Sequence, residues 1–427
     1  YKRQMQRKES VKMKASESTK NFSSKLKENT NYCLREIKHI CSSFDKRGSG
    51  SKGERQAQEY MASRLKDWAD DVNIEEFTLH PAAFMAWVII CGIGLIASVL
   101  FYNFVSPLIS MIILLLCGLS VIMEFLMYKQ FIDPFFPKKT SANVVAVRKP
   151  KGEVKRRIVF SGHCDAAHEW YFTHLGGAKL LTTVIVIGFA SLIFALVSSI
   201  IAVAQGYVLT APVAGFAKTL GTIQYVCIPV GVIVLFFTNW KLTVDGANDN
   251  LTGVVGSMAV LKFMADNDIR FENTEVCAVL TGSEEAGLRG AKAYSKKHLK
   301  ECQEIETAFI GLETFRDFEY LAVYNRDMTG TVKNDPRVCA LLKKSAEEAG
   351  LDLPYKSVFF GSSDAAAVSQ AGIPAATLAS MDPAPARYYH TRTDTADNLD
   401  SKTMQAGLNI ALEAAFLFDE KGLQESY

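Results

Sequence analysis

The sequence lacks a dominant charge of one sign. Its 427 residues hold 47 lysines and arginines against 45 aspartates and glutamates, a formal net charge of +2. This balance excludes a nucleic-acid binder that works through bulk positive charge. Neither proline (12 residues) nor glycine (28) is in excess, which excludes collagen-like and low-complexity architectures. With 49% hydrophobic and 22% charged residues, the chain is not a disordered polymer.

Paired cysteines are missing as well. The nine cysteines are scattered along the chain without a Cys-x-x-Cys pair, which argues against a structural cysteine–zinc site. In a chain of this length they do not indicate a small disulfide scaffold. Reduced thiols, and therefore a cytosolic setting, are the plain interpretation.

Charge is absent altogether from Ala82 to Met123, and Lys218 is the one charged residue between 180 and 240. Both blocks divide into two apolar stretches, each near the roughly 20 residues that a bilayer needs. The alternative, a set of helices buried in a protein core, is less favoured because the stretches are long and joined in pairs by short connectors. We therefore predict four transmembrane helices, over residues 82–102, 107–127, 180–204 and 219–240.

Positive charge is distributed unevenly around these helices. The two hairpin tips carry Lys218 alone, whereas lysines and arginines are frequent in the polar segment 128–179. Because cationic loops stay in the cytosol, we expect a multi-pass integral membrane protein whose polar domain is cytosolic.

The polar segments alternate between strand and helix patterns. We predict strands at 71–79, 143–148, 157–161 and 275–280, and helices at 53–69, 250–265 and 287–299. Such alternation indicates an α/β fold with a mixed sheet covered by helices on both faces. The predicted division is a polar basic N-terminal tail (1–30), one domain in three parts (31–81, 129–178 and 241–427) and two inserted hairpins (82–128 and 179–240). The tail is expected to be a solvated helix or a flexible segment, with binding to anionic lipid as the alternative.

Two polar motifs lie at the ends of predicted elements. His163 and Asp165 form a His-x-Asp motif directly after an apolar strand, where open sheets bind ligands. A carboxylate at this spacing can hold a metal-ligating imidazole. Asp249 opens a predicted helix, and its two oxygens could bridge two metals. The alternatives without metal binding are a polar turn for the first motif and a helix N-cap for the second.

Three further motifs offer oxygen and nitrogen ligands. Glu284 and Glu285 follow a strand, so that one acid can bind metal while the other faces water; an adjacent pair of glutamates is also common on solvated surfaces. Glu313 follows a short apolar run, and His390 lies in a loop near the last helix. Taken together, the set suffices for two zinc ions that share a carboxylate.

In this order the motifs resemble metallopeptidase family 28, the di-zinc aminopeptidases and glutamate carboxypeptidase relatives. The resemblance covers about residues 31–81, 140–178 and 241–427. It rests on His163-Cys-Asp165, Gly246-Ala-Asn-Asp249-Asn-Leu-Thr-Gly253, Gly282-Ser-Glu284-Glu285-Ala-Gly-Leu-Arg-Gly290, the acid Glu313 and Tyr389-His390-Thr-Arg-Thr-Asp394. It implies a zinc exopeptidase-like fold.

The resemblance also implies a ligand set. His163, Asp249 and Glu313 would hold one zinc ion. Asp249, Glu285 and His390 would hold the other, with Asp249 bridging the two. Glu313 departs from the family, in which this ligand is more often aspartate.

The catalytic roles follow in the same way. Glu284 would be the general base that takes a proton from water and returns it to the leaving amine. Asp165 would orient His163. Tyr389 matches a position where some members stabilise the oxyanion with tyrosine. Asp364, which is often followed by histidine in the family, is followed here by alanine.

The hairpins are the largest departure, because family members are commonly soluble or have a single anchor. The second hairpin enters shortly after Asp165 and leaves at Asp245, so we expect the site to lie close to a lipid bilayer. We predict a membrane-bound aminopeptidase acting on short or hydrophobic peptides. The alternatives are a zinc amidohydrolase or carboxypeptidase acting on acylated amino acids or lipid-like amides, and a non-catalytic membrane scaffold.

Two arginines bear on these alternatives. Arg387 and Arg392 could bind a substrate carboxylate, although salt-bridge partners are the more common role of such residues. A glutaminyl-cyclase-like reaction is less favoured, because those relatives work with one zinc ion and this sequence retains both ligand sets.

Overall fold

The computed structural model describes residues 12–209, 212–358 and 360–427. Its strands are β1 (Asp71–Leu79), β2 (Lys139–Arg148), β3 (Arg156–His163), β4 (His168–Trp170), β5 (Thr238–Thr243), β6 (Thr274–Thr281), β7 (Glu306–Phe315), β8 (Ala322–Asp327), β9 (Val332–Lys333), β10 (Tyr355–Ser357) and β11 (Ala375–Ser380). Its α-helices are α1 (Ala15–Ser18), α2 (Phe22–Ser43), α3 (Lys52–Leu65), α4 (Ala86–Phe104), α5 (Pro107–Ser120), α6 (Tyr171–Ala204), α7 (Gly215–Gln224), α8 (Cys227–Val234), α9 (Leu251–Asp266), α10 (Arg289–Glu304), α11 (Pro336–Glu348), α12 (Asp364–Gln370) and α13 (Ser401–Lys421).

A mixed sheet forms the centre of the molecule. Its strand order is β1-β2-β6-β3-β7-β11-β8-β10, with β9 beside β8, and the four strands β6, β3, β7 and β11 run parallel. Side chains alternate between its faces: Ile158 and Phe160 pack into one core, and Val159 packs into another. Helices α2, α3, α9 and α13 cover the first face, and α10 and α12 cover the second. The predicted fold class is therefore confirmed.

The N-terminal segment differs from the solvated tail that was expected for residues 1–30. Residues 1–11 lie outside the described residues. Helix α2 crosses the expected boundary and buries Leu26, Cys33, Ile37 and Ile40. These side chains recur at the three- and four-residue spacing of one helix face. The abundant lysines and glutamates of the other face obscured that stripe in the sequence.

Within the described residues, four helical segments are long and apolar enough to cross a membrane: Ala86–Phe104, Pro107–Leu126, Tyr171–Ala204 and Gly215–Val234. The third contains a break at Gly177, whose φ of 62° is non-helical. The fourth is shorter than the expected 219–240.

The last apolar helix ends at Val234, and the chain then forms β5 from Thr238 onward. Its Thr238 and Asn239 pair with Trp170 and Glu169 of β4. The predicted helix extended too far because Phe236, Phe237 and Trp240 continue the apolar run of the preceding helix. The strand that pairs with β5 lies about 70 residues earlier in the chain, so the local sequence did not reveal it. The resulting two-stranded ribbon, β4–β5, forms the base of the second hairpin.

Candidate metal centre

The candidate ligands meet at one edge of the sheet. His163 is the last residue of β3, Glu285 follows β6, and Glu313 lies near the end of β7. Because these strands are parallel neighbours, their carboxyl ends place the three side chains together. Asp249 precedes α9, whose first turn is capped by the side chain of Asn250.

The two oxygens of Asp249 face two different imidazoles. Its Oδ1 lies 3.1 Å from Nε2 of His163, and its Oδ2 lies 3.1 Å from Nε2 of His390. Glu285 Oε1 lies 3.1 Å from the same nitrogen of His390. Glu313 Oε1 is 3.7 Å from Nε2 of His163. The structure thus brings together all five residues that the resemblance implies as ligands, with Asp249 between the two imidazoles.

This donor set fits metal ions. His163, Asp249 and Glu285 each offer a ligand atom, and these atoms lie within 4.8 Å of one another. Oδ2 of Asp249 and Oε1 of Glu285 are buried and receive no well-aligned hydrogen bond from the part of the chain that the structure describes, although His390 Nε2 is close to both. Buried carboxylate oxygens without donors are costly unless a cation neutralises them. Imidazole nitrogens and carboxylate oxygens are ligands that zinc accepts.

Burial and charge shift the pKa values of these groups. Burial raises the pKa of Glu313 to about 7 and that of Glu284 well above its usual range. Burial disfavours the charged form of His390, but Glu285 and Asp249 raise its pKa to about 10. Although burial also acts on Asp249, the adjacent imidazoles of His163 and His390 hold its pKa below the usual range. The centre therefore has a negative electrostatic potential, as expected of a cation site.

Asp165 contacts several of the residues that form the centre. Its carboxylate accepts hydrogen bonds from the backbone amides of Glu284 (2.9 Å) and Glu285 (3.1 Å) and from the hydroxyl of Ser49 (2.6 Å). Its Oδ1 also lies 3.4 Å from Nδ1 of His163. Asp165 is fully buried. It therefore positions both the imidazole and the turn that carries the two glutamates.

Glu284 and Tyr389 border the centre. Oε2 of Glu284 lies 3.9 Å from Nε2 of His163, and its side chain is 11% exposed. The ring of Tyr389 stacks on that of His390 with centroids 3.9 Å apart. Both residues line the cavities described below, so each can contact a bound substrate.

Supporting residues were missed in the sequence. Arg47, which is buried, donates to the carbonyls of Cys164 (2.9 Å), Asp245 (2.6 Å) and Gly246 (3.0 Å) and so joins the two ligand-bearing loops. No sequence motif identifies this residue, because its hydrogen-bond partners are backbone carbonyls more than 100 residues away in the chain.

Two acids have similar supporting contacts. Glu54, also buried, accepts from the backbone amide of Ser283 at 2.7 Å. Asp394 accepts from the amides of Asn248 (2.8 Å) and Asp249 (3.1 Å). Asp394 belongs to the motif that suggested the family resemblance, and this motif was the available signal.

The ribbon β4–β5 is attached to the centre. The amide of Trp170 donates to the carbonyl of His390 at 2.7 Å, and the two rings lie 4.5 Å apart in an edge-to-face arrangement. Glu169 accepts two hydrogen bonds from Arg392, at 2.7 and 2.6 Å. Arg392 thus has the salt-bridge role, and Arg387 is exposed.

Two cavities meet at the centre. One, of about 90 Å³, is lined by Glu313, Tyr324, Thr377 and Met381 among others. The other, of about 340 Å³, extends toward Trp87 and Phe237 of the apolar helical region. Both contain Glu284, Glu285, Tyr389 and His390, so a substrate lying across these residues can occupy both.

The candidate ligand side chains thus lie along the carboxyl edge of the parallel strands of a mixed sheet. Residues 232–415 match the model of Peptidase family M28. The resemblance seen in the motifs is therefore confirmed for this part of the chain, which carries Asp249, Glu285, Glu313 and His390.

Solved structures show the same fold along most of the chain. An aminopeptidase from Aneurinibacillus sp. strain AM-1 matches with a TM-score of 0.54 and 14% identity over 91% of this chain and 94% of its own. BSAP, a zinc aminopeptidase from Bacillus subtilis, matches with 0.53 and 14% over 93% and 97%. A glutaminyl cyclase from an Acidobacteriales bacterium matches with 0.53 and 13% over 92% and 96%. A comparison with curated protein sequences finds no match.

Proposed function

We propose that this protein is a membrane-bound, zinc-dependent aminopeptidase that hydrolyses short or hydrophobic peptides. One observation carries the proposal: the carboxylate of Asp249 presents one oxygen to His163 and the other to His390, each at 3.1 Å. A carboxylate that faces two imidazoles in this way could be shared by two metal ions. His163 and Glu313 would complete one site, and His390 and Glu285 the other.

Bound zinc would polarise the substrate carbonyl and lower the pKa of the attacking water. Glu284 accepts a proton from that water and returns it to the amine that leaves. Its burial favours this role, because a raised pKa makes a carboxylate a better proton acceptor. Tyr389, which stacks on His390, would donate a hydrogen bond from its hydroxyl group to the developing oxyanion.

The unequal cavities favour an exopeptidase. The smaller one, at about 90 Å³, has room for one side chain, and its wall contains Tyr324, Thr377 and Met381. The larger one, at about 340 Å³, has room for the leaving part of the substrate. An aminopeptidase needs this division, because it removes a single N-terminal residue from a longer chain.

The membrane location rests on the four apolar helical segments. Their outward side chains include Ile93, Leu115, Leu116, Ile193 and Val226, each more than half exposed. Such a surface is stable when it faces lipid. The lysines and arginines of the polar part support a cytosolic position of the catalytic domain.

The test compares a hydrophobic amino-acid amide that has a free amine with its N-acylated twin, on detergent-purified protein loaded with zinc. The Glu284→Gln variant serves as the inactive control. We expect cleavage of the free-amine compound alone. Cleavage of the acylated twin alone would favour the amidohydrolase, and cyclisation of a peptide with N-terminal glutamine would favour the activity of the glutaminyl cyclases that share the fold. No reaction with any substrate would favour the scaffold.

A further inference from the structure

A narrow apolar groove continues the larger cavity between the candidate membrane helices. Trp87 and Phe237 line both the cavity and the groove. Beyond them the groove runs between α4, α6 and α8. Its walls contain Val88, Cys91 and Leu95 of α4 and Val184, Gly188 and Leu192 of α6. These spacings of three and four residues each define one helix face, so two continuous apolar faces form the groove.

Glycines shape this groove. A Cβ on Gly92 would lie 2.7 Å from Leu235, and one on Gly231 would lie 2.7 Å from Ile96, so these glycines allow α4 and α8 to pack closely. A Cβ on Gly188 would find its nearest neighbour, Val234, at 3.4 Å. Alanine would therefore fit at position 188 in ordinary van der Waals contact, and because Gly188 lines the groove, a larger side chain there would enter it.

We propose that the groove binds a single alkyl chain that forms part of the substrate. The inference rests on the proposed function and adds the substrate class: an amide or peptide whose leaving group carries an unbranched hydrocarbon chain. Trp87 and Phe237 line both the larger cavity and the groove, so the two spaces are continuous. An alkyl chain in the groove can therefore be part of the same molecule as an amide bond beside Glu284. The groove is lined by apolar side chains and glycines, so it offers a polar headgroup almost no hydrogen-bond partners.

The chain belongs to the leaving group because of the two cavities. The smaller cavity, with Glu313 and Tyr324, receives the N-terminal residue, and the larger one leads to Trp87. From Trp87 to Leu95 a helix rises by about 12 Å, the extended length of roughly ten methylene groups. Chains longer than this would reach the end of the groove and gain nothing further.

The experiment measures kcat/KM for leucine N-alkylamides with chains from methyl to dodecyl, at one fixed detergent concentration. In the wild-type protein we expect a rise of up to about fourfold per methylene group that levels off near ten carbons. Gly188→Leu should lose this rise and retain activity on the methylamide, whereas Gly188→Ala should keep both. Gly118→Leu is the matched control, because a Cβ there meets no described atom within 4 Å.

A second readout does not depend on turnover. A decylamine tipped with a diazirine, which resembles the leaving group, should label α4 and α6 in the wild type and in Glu284→Gln, and should not label them in Gly188→Leu. A flat chain-length profile in the wild type, an unchanged profile in Gly188→Leu, or labelling outside α4 and α6 would overturn the inference. If the wild-type protein hydrolyses none of the amides, the proposed function is overturned instead. The labelling would then still decide whether the groove binds an alkyl chain.

Discussion

The backbone amide of Trp170 donates a hydrogen bond of 2.7 Å to the carbonyl of His390. Trp170 is the last residue before the second apolar hairpin, and His390 is a candidate zinc ligand. The hairpin is therefore joined directly to the centre, because the loop that carries this candidate ligand is hydrogen-bonded to the residue before a helix that we propose for the membrane. This connection distinguishes the arrangement from that of a soluble domain carried by a separate anchor.

The shared carboxylate gives the first prediction. Asp249→Asn should reduce the zinc content of the purified protein to well under half of the wild-type value, because it removes the charge that serves both ions. Elemental analysis after dialysis against low zinc provides the measurement. Glu313→Gln is a useful comparison, since Glu313 contacts one imidazole, at 3.7 Å, and should affect one ion. Full metal loading of Asp249→Asn would contradict the bridging role.

Glu284 gives the second prediction. Glu284→Gln should retain its zinc and lose turnover by about 10²- to 10⁴-fold, the usual contribution of a general base. The amide side chain preserves size and cannot accept the proton. Initial rates and metal content are to be measured on the same sample. A variant that keeps both metal and rate would exclude Glu284 as the base.

The third prediction concerns Arg47. Arg47→Lys should lower the free energy of unfolding by about 1–3 kcal/mol, because lysine cannot satisfy all three carbonyls that the guanidinium bonds. Thermal unfolding with and without zinc would show this, and zinc should restore part of the loss by binding the folded state. Lys46→Met is the neighbouring control: its side chain is 57% exposed and should matter little. Equal effects at the two positions would refute the assigned role.

Glu169 and Arg392 give a prediction about pH. The hydrogen bonds from Arg392 lower the pKa of Glu169 to about 2 in the folded protein. A carboxyl whose pKa is depressed by folding contributes stability above its unfolded value, near 4.5, and loses it as the pH falls toward 2. Wild-type and Arg392→Met proteins, both stripped of metal, should therefore differ in unfolding free energy at pH 6 and converge near pH 2. A difference that grows on acidification would have the wrong sign.

Much of the fold follows from local pattern. The run Ile158-Val-Phe160 alternates between two cores as a buried strand does, and β1 has the expected bounds. His163, Glu285 and Glu313 were recognisable because each follows an apolar run, and Asp249 because it opens a helix whose pattern is clear. The sheet then brings His163, Glu285 and Glu313 to one edge.

The remaining features depend on distant partners. The ribbon β4–β5 joins strands separated by the whole second hairpin, and an apolar residue such as Trp240 looks helical until its partner is known. Arg47 bonds backbone carbonyls, which every residue possesses, so no sequence pattern identifies them. The buried face of α2 exists because α9 and α13 lie against it, and neither is close in sequence.

The contacts of Asp165 have a consequence for how the centre can change. One carboxylate accepts from both amides of the Glu284–Glu285 turn and lies against the imidazole of His163. A displacement of any one of these groups is thus passed to the others, and the proposed general base shares its support with the candidate metal ligands. Affinity and reactivity are consequently not independent variables here: natural variation at position 165 would alter both together.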